Sequence, residues 1–329
     1  MDIIRKLSAG ENLPENEAGE AMEGMISGKL SPAQAAGILV ALRMKGETVQ
    51  EITAFARVMR QHAVRIHPKA DGLVDTCGTG GDSSHTFNVS TTAAIVAAGA
   101  GASVAKHGNR SVSSSCGSAD VLEQLGVGIL RPPQVEKCIE EVGFGFMFAP
   151  YFHPAMKNVG PVRKELGIRT VFNILGPLTN PAGAQSQLLG VYDAAMARKM
   201  ADALNSLGTA HALVVHSDGI DEIGLGATKV CEVKNGKVEE YGIDAKEFGF
   251  ASHAIPKAKS REEGAKILLD ALSGSDGAAR DVALLNAGAA IYVAGKVSSI
   301  AAGVASAQQS IDSGKAMDVL EKLRKFEGA

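Results

Sequence analysis

Tryptophan is absent from the 329-residue chain, and aromatic side chains make up only 4% of it. A core must therefore be packed from Ala, Val, Leu and Ile, while 38 glycines point to close backbone contacts and many loops. The four cysteines, Cys77, Cys116, Cys138 and Cys231, form no Cys-x-x-Cys pair. That spacing argues against a zinc knuckle or a thioredoxin-like redox site, and predicts free thiols in a reducing compartment. No uninterrupted apolar run reaches the ~18 residues of a membrane span, and the N-terminal stretch carries Asp2, Arg5 and Lys6 instead of an export signal's apolar run. A cytoplasmic protein with no membrane partner is expected. A formal net charge of −3 gives no general attraction to nucleic acid, so any phosphate must be held by local groups.

What is present divides the chain. Its length predicts two domains, or one large domain with a smaller partner. Residues 1–68 read as helices only: Pro14 opens a segment closed by Gly28, Ser31-Pro32 caps a second, and Thr48 with Glu51 forms a capping box for a third. His62 and His67, at the end of this unit, read as solvated or capping groups. Pro68-Lys69-Ala70-Asp71-Gly72 reads as a hinge. Beyond it, short apolar runs at 73–75, 102–106, 144–148, 187–192 and 212–217 alternate with helical patterns at 90–99, 133–142 and 194–207. That alternation predicts an α/β fold, a mostly parallel central sheet flanked by helices, joined to a smaller all-helical domain. Asn235-Gly236 between two further runs predicts a hairpin, and Ser260 with Glu263 another capping box. Prolines and glycines break the segment 153–178 into short helices.

Polar groups concentrate between 75 and 120. Gly78-Thr79-Gly80-Gly81-Asp82 follows a strand, and its glycines leave backbone N–H groups unshielded toward an anion. It is neither a Walker A loop nor Gly-x-Gly-x-x-Gly. Asn88-Val89-Ser90-Thr91-Thr92 opens an alanine-rich helix, whose N-terminus is a seat for phosphate. Lys106 is expected to leave its strand at the same end of the sheet and offer a point charge. His107, Asn109 and Arg110 crowd behind it, as site groups or as caps of that loop. Two such loops at strand carboxyl ends imply a phosphorylated substrate. Asp221-Glu222 follows another strand, and reads either as two carboxylates turned to the same rim or as a solvated acidic turn. Arg163 and Arg169 flank Glu165-Leu166-Gly167, where a guanidinium holds a carboxylate or lies on a short helix surface.

These clusters, their spacing and the run RTVFNILGPLTNP from Arg169 to Pro181 resemble the anthranilate phosphoribosyltransferase family over nearly the whole chain. The resemblance implies phosphoribosyl transfer from 5-phosphoribosyl 1-diphosphate (PRPP) to the amine of anthranilate, in tryptophan biosynthesis. It implies donor contacts at Gly78, Thr79, Gly80, Gly81, Asp82, Asn88, Ser90, Thr91, Lys106 and Ser118. Anthranilate contacts would be Gly78, His107, Asn109, His153, Arg163, Gly176 and Pro177. A diphosphate beside carboxylates implies Mg²⁺, on Ser90, Asp221 and Glu222. No general base is nominated, because an aniline-type amine is largely unprotonated at neutral pH. The resemblance also implies domains at 1–68 and 69–329, a segment near 155–180 that rejoins the small domain, and a homodimer through that domain. Ser115-Cys116 stands where many relatives have lysine then serine, which removes a second cation near the donor.

Two rival functions follow from the same fold. A pyrimidine nucleoside phosphorylase would share the lysine-bearing loop but not the 163–181 segment. A non-enzymatic nucleic-acid-binding relative would need a basic stripe, against a net charge of −3.

Overall fold

The computed structural model describes residues 2–81, 84–110 and 116–327. Four helices come first: α1 (Asp2–Ser8), α2 (Glu15–Ile26), α3 (Pro32–Lys45) and α4 (Val49–Gln61). The sequence pattern does not predict α1, which spans only seven residues. Strand β1 (Val74–Asp75) leads to α5 (Val89–Gly99), β2 (Val104–Gly108), α6 (Ser118–Gln124), α7 (Pro132–Val142) and β3 (Phe144–Phe148). Three short helices follow, α8 (Ala149–Phe152), α9 (Gly160–Leu166) and α10 (Phe172–Leu175). The chain then returns to the sheet with β4 (Ser186–Gly190), α11 (Ala194–Ser206), β5 (His211–His216), β6 (Ala227–Lys234) and β7 (Lys237–Asp244). It ends in α12 (Arg261–Leu272), α13 (Ala278–Val293), α14 (Ile300–Asp312) and α15 (Lys315–Lys325).

Local chemistry accounts for these boundaries. Ser31 with Gln34, and Thr48 with Glu51, close reciprocal capping boxes on α3 and α4. Glu51 is fully buried and also accepts from Leu13 N (2.9 Å) and Lys45 Nζ (2.9 Å), so one carboxylate ties three segments together. The β6–β7 turn places Asn235 (φ 52°) and Gly236 (φ 75°) in the left-handed region that a two-residue hairpin requires. The box expected at Ser260 is only half made. Ser260 Oγ accepts from Glu263 N (3.2 Å), but the Glu263 carboxylate reaches Lys259 N (2.7 Å) instead of Ser260 N.

The sheet runs β3-β2-β1-β4-β5-β6-β7, parallel from β3 to β5 and antiparallel at β6 and β7. Consecutive side chains enter opposite cores, as strand geometry demands. Leu188 and Leu213 join α5 and α13 on one face, while Leu189 and Val214 join α11 on the other. The second core runs without a break into the helical unit. There Met22, Phe55 and Met59 belong to one apolar cluster with Val162, Phe172, Leu175 and Leu178. From β1 the chain proceeds to β2 and β3 on one side, then crosses to β4 and β5 on the other. The carboxyl ends of β1 and β4 therefore flank the topological switch point, where open α/β sheets bind ligands. All four cysteines are free thiols. Among the described residues no helix is long and apolar enough to cross a membrane.

Candidate active site at the sheet switch point

Residues 76–81 leave β1 and are laced at once to β4. Thr79 N donates to Gly190 O (2.9 Å), and Tyr192 N donates to Thr79 Oγ1 (3.1 Å). The acidic loop after β5 crosses the end of β4 to meet two other loops. Asp221 Oδ2 accepts from Gly80 N (2.7 Å), and Glu222 Oε1 accepts from Ser90 N (3.1 Å) in the first turn of α5. The neighbouring acids thus face one region, with the glycine loop on one side and a helix N-terminus on the other. Gly190 permits this crossing, because the backbone carbonyl of Asp221 occupies the space a Cβ would need. Thr91 Oγ1 donates to or accepts from Ser118 Oγ (3.2 Å), and Asn88 Nδ2 donates to Cys116 O (3.1 Å), so α6 starts beside the same helix end. Asn88 Oδ1 is buried and has no partner among the described residues.

Lys106 departs from expectation. β2 continues to Gly108, so the lysine sits mid-strand and is only 1% exposed. Its ammonium donates to Thr76 O (2.9 Å), Thr76 Oγ1 (3.2 Å) and Ser90 Oγ (3.2 Å). A buried ammonium must be paired, and these oxygens, with Asp75 nearby, do that. The charge therefore lies beneath the two loops and fastens them, instead of projecting from a strand end. Asp75 is buried in turn, accepting from His107 N (3.1 Å) and Asn180 Nδ2 (2.7 Å). Burial pushes its carboxyl up to about 6, against the opposing pull of Asn180 and Lys106.

Toward the helical unit lie the second group of residues. His107 Nδ1 is 3.1 Å from Gly176 O, an acceptor only, so that nitrogen carries the proton and donates. Its ring stands 5.0 Å from that of His153. Burial drives both imidazoles down, to about 3 and about 4, so both are neutral at physiological pH. The Nε2 atom of each is buried without a partner among the described residues. Pro177 O accepts from Gln187 Nε2 (2.7 Å), which anchors the Gly176-Pro177 turn to β4. Arg163, on α9, is half-buried with its guanidinium 5.3 Å from the Phe172 ring centre, and burial holds its pKa below the usual arginine range. Asn109 is exposed, its Oδ1 accepting from Arg110 N (2.8 Å). Arg110 is committed to Glu123 (2.5 and 2.7 Å). Asp82 and Ser115 lie outside the described residues.

Two glycosyl transferase models match the chain, the helical bundle domain over residues 1–63 and the a/b domain over 70–317. An anthranilate phosphoribosyltransferase of Rubrobacter xylanophilus is 56% identical over 328 residues, covering 98% of this chain and 96% of that one. The chain belongs to the anthranilate phosphoribosyltransferase family. The crystal structure of the Thermus thermophilus member superposes with a TM-score of 0.94 at 47% identity, covering 99% of both chains. The Saccharomyces cerevisiae member, solved with PRPP and Mg, gives a TM-score of 0.89 at 28% identity, covering 98% of this chain and 96% of that one. The yeast enzyme has also been solved with 4-fluoroanthranilate.

For a member of this family the donor set here is chemically apt for Mg²⁺. Asp221, Glu222 and Ser90 are oxygen donors, and Mg²⁺ binds through one or two carboxylates completed by waters and phosphate oxygens. Among the described residues no group of three or more His, Cys, Asp or Glu side chains converges as an all-protein cage.

Several residues at this site escape sequence reasoning. Arg169 donates to Gly80 O (3.0 Å) and lies 3.9 Å over the Tyr192 ring, so it braces the glycine loop where a carboxylate fork is one sequence reading. Asp75 and Thr76 sit inside an apolar strand end, and only the acid in that run gives a signal. Asn180 lies inside the Arg169 to Pro181 run, which marks the segment but not its bond to Asp75.

Proposed function

We propose that this chain transfers the phosphoribosyl group of PRPP to the amine of anthranilate, releasing diphosphate and giving N-(5-phosphoribosyl)anthranilate for tryptophan biosynthesis. One observation carries the reading: the acidic pair meets both the glycine loop and the α5 N-terminus at the switch point. On this reading Gly78, Thr79, Gly80, Gly81 and Asp82, with Asn88, Ser90, Thr91 and Ser118, hold the donor through backbone N–H groups and hydroxyls. Lys106 adds positive charge from below. Ser90, Asp221 and Glu222 would hold Mg²⁺, which when bound neutralises charge on the departing diphosphate. Arg163 takes the anthranilate carboxylate, and Asn109, His107, His153 and the Gly176-Pro177 turn line the rest of that pocket.

The amine nitrogen forms its bond to ribose C1 as the C1–oxygen bond to diphosphate breaks, and the amine's proton then passes to solvent. No side chain is assigned as general base, since the aromatic amine is already unprotonated. The chain's contribution is alignment of amine and C1, together with N–H donors fixed in advance around the leaving group. The neutral histidines agree with this, because they place no cation beside the nucleophile.

We further read residues 1–68, with the segment near 155–180, as a small domain that closes on 69–329 about the 68–72 hinge. A homodimer through the small domain is supported by Met44 on α3, a large apolar side chain that is 83% exposed, with partly buried Ala36 and Ala41 on the same helix. The working compartment is the cytoplasm. Mixing the protein with PRPP, Mg²⁺ and anthranilate tests the activity through loss of anthranilate fluorescence. Fluorescence that persists, with phosphate-dependent cleavage of a pyrimidine nucleoside instead, would transfer the chain to the phosphorylase reading.

A further inference from the structure

Helix α13 is apolar along most of its length, yet carries an asparagine at its centre. Asn286 is 0% exposed, flanked by buried Leu284, Leu285, Ala287 and Ala289. Burying an amide without partners costs about 2 kcal/mol or more, so its bonds need an account. They go mostly to one residue of another element. Asn286 Oδ1 accepts from Ile223 N (3.0 Å), while Nδ2 donates to Ile223 O (2.8 Å) and to Val282 O (2.8 Å) on its own helix. The side chain thus pairs with both backbone groups of the residue directly after Asp221-Glu222.

The flanking residues are pinned from the opposite side. Ser217 Oγ donates to Glu222 O (2.9 Å), accepts from Gly224 N (2.9 Å), and shares a 2.6 Å bond with Thr228 Oγ1. Three consecutive backbone units, 222 to 224, are therefore clamped between the end of β5 and α13. Helix α13 also packs directly against α5, whose first turn presents Ser90 to Glu222. Through Asn286, one rigid helix sets the distance between the acidic loop and the helix end it faces.

We infer that Asn286 is a positioning residue for the donor site: without touching substrate, it fixes where the Asp221 and Glu222 carboxylates stand relative to Ser90 and Gly80. This inference rests on the donor-site reading given above. Partners that orient ligands of a bound ion typically change its affinity about 10- to 100-fold when removed.

The test uses Asn286→Asp, which preserves shape and the acceptor for Ile223 N but removes both N–H donors. Ser217→Ala releases Glu222 O and Gly224 N from the other side, and decides the matter if the first variant does not fold. Calorimetric titration with Mg²⁺ and diphosphate gives binding apart from turnover, and initial rates give KM for PRPP and for anthranilate separately. The expected result is a loss of diphosphate affinity and a rise in the PRPP KM of about 10- to 100-fold, with the anthranilate KM unchanged. Unchanged diphosphate affinity in the folded variants, or equal losses for both substrates, overturns the inference while leaving the transferase reading intact. A wild-type protein that neither binds Mg²⁺ with diphosphate nor consumes anthranilate removes the transferase reading, and the inference with it.

Discussion

Replacing Gly78 with alanine displaces Asp221 without touching its charge. The added Cβ would stand 2.7 Å from Asp221 Oδ2, whereas ordinary contact begins near 3.4 Å, so the carboxylate must retreat by about 0.7 Å. Gly78 is not among the positive-φ residues, so alanine brings no backbone strain of its own. The consequence falls on the acidic pair, whose bond to Gly80 N is broken or bent. A misplacement of about 1 Å costs roughly 100-fold in rate, so 0.7 Å places the loss in kcat/KM for PRPP at about 10- to 100-fold. That is about 1.4–2.7 kcal/mol of transition-state stabilisation. Initial rates from anthranilate fluorescence, with PRPP varied at fixed Mg²⁺, measure it. Gly128→Ala is the control, since nothing lies within 4 Å of the Cβ it would add. A Gly78→Ala enzyme with wild-type kcat/KM for PRPP would refute the claim that this carboxylate belongs to the donor site.

Three further outcomes follow from the same geometry. Asp221→Asn combined with Glu222→Gln raises the Mg²⁺ concentration needed for half-maximal activity, and an unshifted Mg²⁺ titration would take the pair out of the metal site. Arg163→Ala raises the anthranilate KM selectively, whereas Lys106→Met impairs PRPP use and, with three hydrogen bonds lost, lowers stability by about 3 kcal/mol. Steady-state kinetics with equal losses for both substrates in each variant contradict that division. Asp75 governs a pH dependence. Its carboxyl is raised from 3.8 to about 6, so above pH 4 the unfolded chain gives up a proton that the folded protein keeps. Its contribution to stability therefore falls as pH rises from about 4 to about 6, by about 3 kcal/mol in total. Denaturant titrations should show Asp75→Asn gaining on the wild type between pH 4 and pH 7, and a constant difference between the two proteins would contradict the assignment.

The sheet and the loops at its rim are legible because their signals are local. Alternating apolar runs, the Thr48–Glu51 box and Asn235-Gly236 each act within a few residues, and each lies in the structure where its chemistry puts it. The glycine loop and the acidic pair are legible as polar punctuation after strands. What fastens them is not. Lys106 reads as a strand-end charge because nothing local reveals that β2 runs two residues further, to Gly108, or that Thr76 and Ser90 supply its oxygens. Asn286 gives no signal in the sequence, since Ile223 is 63 residues away. Arg169 lies 89 residues from the Gly80 carbonyl it holds. Such groups owe their roles to tertiary contact alone, and residue spacing carries no trace of it. Helix α1 is missed for a different reason, being too short to display a period.

The most direct test of the account is a crystal structure of this protein soaked with PRPP and Mg²⁺. The prediction is diphosphate density between the Gly78 to Gly81 backbone and the Ser90 end of α5, with the ion against Asp221 and Glu222. Density for the donor elsewhere, with the acidic pair still bonded to Gly80 N and Ser90 N, would contradict it.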